Sequence, residues 1–314
     1  MLHSIKAKLF KKYDLPKKPL PQYWQDVMTL VDQQKVKEIA DLYANSHYQS
    51  RLNILKTLTD MEDFNQFEDY CEQHLECSAH KNIYHLFLIK TYQAQLDRAK
   101  VSKKKEHKLH DTNYYSKRVQ DCLNTLLQVN HSDKHINKTL IEYSLNDQLP
   151  SLDIEQCYLH GIELEGSNLP LNILMLKTKH CDQLIDFANQ IIKSDISSQQ
   201  PENLALIGVT HYETYRGLLL NNKLPQAVNY FKTDSIKNEI IETCERFLNT
   251  ATLNENTSIS ANSFLYFALL YQNKSLVKAL LTFSDLYVDF DHNPWCYETN
   301  HLESYNKLRF FSGI

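Results

Sequence analysis

Apolar residues recur three and four positions apart along almost the whole chain, with polar residues filling the positions between. That period belongs to amphipathic helices. Near the C-terminus, Phe264, Phe267, Ala268 and Tyr271 mark one helical face. Leu276, Ala279, Leu280 and Phe283 mark the next, with Asn273 and Lys274 breaking the pattern between them. The spacing predicts two antiparallel helices, the first capped by Ser260 and the second by Ser275. A small residue in each, Ala268 and Ala279, sits where the two backbones would cross closely. The same reading predicts helices over 23–30, 34–44, 48–57, 62–75, 81–99, 114–129, 133–145, 154–164, 171–176, 182–192, 202–220, 225–231 and 236–248. Within 62–75 the stripe is Phe64, Phe67, Tyr70 and Cys71, whereas Ile83, Phe87, Lys90, Ala94 and Leu96 mark the face of 81–99 imperfectly. Ser151 or Asp153 is placed to cap the helix at 154. Residues 100–112, KVSKKKEHKLHDT, break the pattern and read as an exposed loop.

Short connectors between helices of ten to twenty residues predict antiparallel hairpins stacked side by side. The expected fold is therefore all-α, a right-handed superhelix of hairpins like an α-solenoid of tetratricopeptide type. No strict period of about thirty-four residues is visible, so such repeats would be degenerate. The expected organisation is a basic N-terminal helix and connector over 1–21, a helical-repeat region over 22–160 and a second over 161–314. The segment GIELEGSNLP marks the boundary, because it concentrates two glycines and a proline. Elsewhere glycine is scarce. The chain has 314 residues and five glycines, where average usage would give about twenty. That scarcity argues against hairpin-rich β folds and dinucleotide-binding loops, which need positive φ.

Charge sharpens the picture. The formal net charge is −4, but residues 1–22 hold six lysines against Asp14, and residues 98–118 hold eight basic residues against Glu106 and Asp111. The remaining residues therefore carry −15. An acidic body of this kind attracts a basic partner more readily than nucleic acid. Leu2, Ile5, Leu9 and Tyr13, with lysines between them, give an N-terminal amphipathic helix expected to pack on the body. No window approaches the roughly eighteen apolar residues of a membrane span. Seven dispersed cysteines, without a secretory leader, are expected to be reduced thiols in a cytoplasmic protein.

Several clusters invite a chemical reading. Cys71, His74, Cys77 and His80 are three residues apart, but on one helix that spacing fans them over half the circumference, so they meet at zinc only if the helix breaks. His110-Asp111, with His80 or His85 upstream, has the residue types of a helical metal-dependent phosphohydrolase, yet lies in a lysine-rich stretch without apolar flanks. Asp285, Asp289 and Asp291 lack the glycine of a calcium loop. His131 and His135 lack the adjacent glutamate of a zinc protease, and the Gly161–Gly166 segment lacks the Lys-Ser/Thr of a phosphate loop. The Lys103–Lys105 run lacks interleaved aromatics. No metal, cofactor or catalytic residue is expected.

The run MEDFNQFEDYCEQHLECSAHKNIYHLFLIKTYQAQLDRAK resembles the early segment of a family of uncharacterised bacterial tetratricopeptide-like proteins. In that family a short acidic helix is followed by a Pro-x-Ser-like turn and a long helix ending in Ala-x-x-Arg. Cys77-Ser78 stands at the turn here, followed by Tyr92, Ala94 and Arg98. Asn262, Phe264, Ala268 and Trp295 resemble the family's late segment. The resemblance, over roughly residues 50–296, implies a helical-repeat scaffold, and some relatives look like partners of secreted toxins. The expected function is thus protein binding, most concretely an immunity- or antitoxin-type inhibitor that occludes a basic toxin. Tyr212, Tyr215, Tyr266, Tyr271 and Trp295 are the expected anchors, and Asp285, Asp289 and Asp291 the expected charges, on a concave acidic surface. A general adaptor in a multiprotein complex is the rival, followed by the phosphohydrolase and by RNA binding through the basic stretches.

Overall fold

The computed structural model describes residues 22–46, 64–76, 79–101, 105–128, 134–146, 152–166, 169–180, 182–194, 200–284, 294–297 and 301–312, with isolated positions between them. These residues form helices and no strand. They belong to two compact units, one within Leu20–Gly166 and one within Ser167–Ile314, and the division falls inside the GIELEGSNLP segment.

The first unit contains α1 (Gln22–Asp32), α2 (Val36–Ala44), α3 (Phe64–His74), α4 (Lys81–Val101), α5 (Lys105–Gln128), α6 (Lys134–Ser144) and α7 (Ile154–Glu165). Positions 51, 54, 55, 57 and 58 are helical as well. The main packing contacts join each helix to the next or the next but one in the chain. The blurred periodicity of α4 now has a cause. Tyr84, Leu86, Phe87, Leu88, Ile89 and Tyr92 are all buried, because α2, α3, α5 and α6 pack around this helix. A helix enclosed on several sides shows no clean stripe. Tyr43 meets the Phe87 ring edge-on at 5.5 Å, within this core.

The lysine-rich loop expected over 100–112 is replaced by helix. α4 runs to Val101 and α5 begins at Lys105, with only 102–104 outside the described residues between them. Lysine, glutamate and leucine are good helix formers, and the stretch holds neither glycine nor proline, so its polarity does not mark a break. Of the two caps offered for α7, Asp153 serves, accepting from Gln156 N–H at 3.0 Å.

The second unit contains α8 (Leu169–Leu176), α9 (Leu184–Lys193), a 3-10 turn (Pro201–Ala205), α10 (Leu206–Leu220), α11 (Leu224–Tyr230), α12 (Asp234–Thr250), α13 (Glu255–Leu270), α14 (Lys274–Phe283), a short 3-10 turn (Trp295–Tyr297) and α15 (His301–Ser312). Its hub is the Pro201–Ala205 turn, which packs against α8, α9, α10, α12 and α13. Glu202, Asn203, Leu204 and Ala205 are buried there. Backbone groups buried outside regular helix need partners, and Ser260 of α13 supplies one, donating its hydroxyl to the Glu202 carbonyl at 2.8 Å.

Ser260 is therefore not a cap. α13 begins five residues earlier, where Asn254 and Thr257 form a reciprocal capping box. Ser275 is not a cap either: Asn273 caps α14 by accepting from Leu276 N–H, and Ser275 donates to the Asn273 side chain. The α13–α14 hairpin does pack as expected, with Ala268 buried and Ala279 half-buried.

One turn recurs in both units. Gln34, Asn222 and Gln272 hold φ of 53°, 57° and 53° at the α1–α2, α10–α11 and α13–α14 connections. At each, that residue's N–H bonds the carbonyl three positions back, and the following N–H bonds the carbonyl five back, as in Leu269 and Ala268 for the third turn. This is the double-bonded helix ending usually completed by glycine. The chain builds it without glycine, accepting a left-handed residue that costs about 1–2 kcal/mol.

Candidate functional site

The expected aromatic anchors gather around α10. Tyr212 and Tyr215 lie on one face of that helix at i and i+3. Tyr266 from α13 meets Tyr212 edge-on at 5.3 Å, and Tyr297 stacks on Tyr212 at 5.7 Å with nearly parallel rings. Tyr266 also meets Trp295 edge-on at 5.2 Å. Trp295 is only 1 % exposed, and its indole N–H donates to the Asn262 carbonyl at 2.6 Å. Trp295 and Tyr212 are thus core residues that lock the C-terminal turn onto α13 and α10. Tyr215, Tyr266 and Tyr271 are half-buried and pack against the same core. Asp285, Asp289 and Asp291 lie outside the described residues.

A polar rim borders the rings. Arg216 lays its guanidinium over Tyr297, 3.7 Å from the ring centroid, and donates to Glu213 at 2.8 Å. The Tyr297 hydroxyl donates to the same carboxylate at 3.2 Å. Burial first, then the nearby Glu213 charge, pushes the Tyr297 phenol up to about 12. Tyr271 is likewise pushed up to about 12 by burial, and its hydroxyl finds no hydrogen-bond partner among the described residues.

A second cluster was not anticipated. His211 of α10 is almost wholly buried between Tyr230 of α11 and Glu239 of α12. Its Nε2 lies 3.0 Å from Glu239 Oε2 and its Nδ1 lies 2.9 Å from the Tyr230 hydroxyl. A carboxylate only accepts, so Nε2–H donates to Glu239. Burial favours the neutral ring, holding its pKa below the usual histidine value despite Glu239, and in that form Nδ1 accepts from Tyr230 O–H. The order carboxylate, imidazole, hydroxyl is that of an oriented proton relay, yet the ring has almost no exposed surface from which to act on a substrate. Its effect here is to tie three helices. No spacing in the sequence announces it, since the three residues are nineteen and twenty-eight positions apart.

In the first unit, Glu68 of α3 accepts from Tyr92 of α4 at 2.7 Å, from Tyr114 of α5 at 3.1 Å and from Arg118 of α5 at 3.2 Å. Arg118 also bonds Glu72 and stacks over Tyr92. The cysteines nearby are inert by burial: the Cys122 thiol is pushed up to about 12 and Cys71 higher still.

Among the described residues the metal-like sets do not converge. His74 donates Nδ1–H to the Tyr70 carbonyl and stacks on that ring, while His80 bonds Asp41 at 2.7 Å; Cys77 lies outside the described residues. His110 and Asp111 sit on α5, with the His110 side chain 82 % exposed. His85 is half-buried on α4, its Nδ1 without a partner among the described residues, and burial lowers its pKa. The His131, His135 and Lys103–Lys105 side chains are outside the described set. Among the described residues no three His, Cys, Asp or Glu side chains gather in a way that could hold an ion. Nor is any described helix long and apolar enough to cross a membrane. Set against known proteins, the chain matches no family model, no curated protein and no solved structure.

Proposed function

We propose that this chain binds another protein and catalyses nothing, on a scaffold of tetratricopeptide-like helical hairpins. The repeat reading is supported by the turn shared by Gln34, Asn222 and Gln272, with the neighbour-to-neighbour packing of α1 to α7 beside it. The observation that carries the function is the placement of acid. Residues 20–166 carry a net −6, the −12 of residues 20–97 and 119–166 being offset by the +6 of residues 98–118, against −3 for residues 167–314. Glu38, Asp69, Glu76, Asp121 and Glu155 are exposed on the first unit. Exposed carboxylates on several successive helices steer a basic polypeptide and speed its docking.

The most concrete form of the reading is an immunity- or antitoxin-type inhibitor that covers a basic toxin. The half-buried Tyr215 and Tyr266 offer some aromatic surface on the second unit, but the acid favours the first for the main contact. Capture of the full chain from its native host at low salt, followed by mass spectrometry, tests this. A basic polypeptide released as salt shortens the electrostatic range below about 10 Å, and neutralised in a toxicity assay, is the expected result. Several partners without protection would instead make the chain an adaptor, and no basic partner at all would overturn the proposal.

A further inference from the structure

We propose that the outer edge of the α10–α11 hairpin docks an acidic amphipathic helix from another protein. Leu219, Leu220, Leu224 and Val228 expose 37 %, 77 %, 57 % and 61 % of their surface there. Leu224 and Val228 are four apart on α11, so they share a face, while Ala227 turns into the core. Leu220 closes α10, and the Asn222 turn joins it to Leu224 through the bonds from Asn222 N–H to Leu219 and from Lys223 N–H to Leu218. The strip is therefore held by two bonded elements rather than by a loose loop. A solvent-facing helix turn ordinarily carries polar side chains. Neighbouring exposed apolar residues on one edge are the usual mark of an interaction surface.

Charge decides the occupant. From Gly217 to Thr233 the charged residues are Lys223 and Lys232, both exposed, with the exposed Asp234 next after them, within a chain whose net charge is −4. A basic polypeptide would meet two lysines against one carboxylate at this edge. A second copy of the chain would bring lysine against lysine, and four part-exposed side chains fall short of the roughly 800 Å² per partner of a stable pair. Anionic membranes are recognised by clusters of about four to eight basic residues, and two are present. An amphipathic helix with leucines on one face and glutamates beside them satisfies both the apolar strip and the lysines, in the manner of helix-in-groove recognition. This surface is separate from the acidic one, so failure here leaves the basic-partner proposal standing.

The test uses the full chain and two labelled helix-forming peptides of about 14 residues, with leucine at i and i+4 and either glutamate or lysine beside the leucine face. Fluorescence anisotropy should show the glutamate peptide binding at least about tenfold more tightly than the lysine peptide. Lys223→Glu with Lys232→Glu should reverse that order. Leu224→Ser with Val228→Ser should weaken the glutamate peptide by a similar factor, with the circular dichroism spectrum unchanged. Equal affinity for the two peptides, or binding of neither, overturns the proposal. So does self-association, or sedimentation with phosphatidylserine vesicles, that the double serine variant abolishes.

Discussion

In the first unit a carboxylate, an arginine and two tyrosines join three helices that follow one another in the chain. In the second, the corresponding ties pass over intervening helices, from Ser260 of α13 back to Glu202 and from Trp295 to Asn262 of α13. The first unit is assembled by near neighbours, with charge at its seams. The second closes around a buried 3-10 turn, with aromatic rings as its filling and acid comparatively sparse on its surface. Two ways of building with helices thus occur in one chain, and they leave different surfaces: acidic on the first unit, and on the second an apolar edge flanked by lysine.

Substitutions should separate the two styles. The largest effect is expected for Trp295→Ala, which removes a fully buried ring and its bond to Asn262. Such truncations cost about 3–5 kcal/mol, and hydrogen exchange should show the lost protection in α10, α13 and the C-terminal turn first. Next comes Arg118→Met. It leaves Glu68 and Glu72 without their cation, at about 2 kcal/mol, because the Arg118 side chain is 29 % exposed and partly screened. Here protection should fall in α3, α4 and α5. If either substitution loosened only the other unit's helices, the contrast drawn here would fail.

Gly208→Ala should cost about 1–3 kcal/mol in a denaturant melt. A Cβ at that position would stand 2.6 Å from the Phe267 ring, which is itself buried and has little room to move. Gly217→Ala, further along α10, meets nothing within 4 Å and should instead stabilise by up to about 1 kcal/mol. A smaller pair asks what the units share. Gln34→Gly and Gln272→Gly relieve the same left-handed strain, so each should raise stability by about 1 kcal/mol. Unequal gains would mean the two turns are not equivalent.

The smallest effect concerns pH. Because burial lowers the His211 pKa below its ordinary value of 6.5, the unfolded chain binds that proton more readily than the folded one. Its effect on stability is absent above the ordinary value, and stability is lost as pH falls through 6.5 towards the lowered value. Glu239→Gln removes a charge that favours the protonated ring, so the loss on acidification should become steeper. Thermal melts across that range, compared with the wild type, check both the sign and the steepness.

Much of the helical pattern was legible because period-3.6 spacing survives wherever a helix has one wet face. It failed in informative places. α4 hides its face because neighbours surround it, and the lysines of α5 imitate a loop because polarity and disorder share a composition. Ser260 looks like a cap, since serine bonds backbone readily in either setting; only the distant Glu202 carbonyl reveals which bond it makes. Scarce glycine pointed away from positive-φ turns, yet Gln34, Asn222 and Gln272 supply them. The aromatic residues were found, but composition cannot distinguish an anchor waiting for a partner from a ring such as Trp295 that is already enclosed. The His211, Tyr230 and Glu239 trio depends on three-dimensional closure and left no local trace.

The buried Pro201–Ala205 turn has a consequence for the order of events at the ribosome. Its Ser260 tie lies 58 residues downstream, and Trp295 closes on Asn262 a further 33 residues apart. Contacts of such separation form slowly and only after the distant strand of chain has been made. During synthesis the apolar residues around Leu204 therefore stay partly uncovered until α13, which ends at Leu270, has been made.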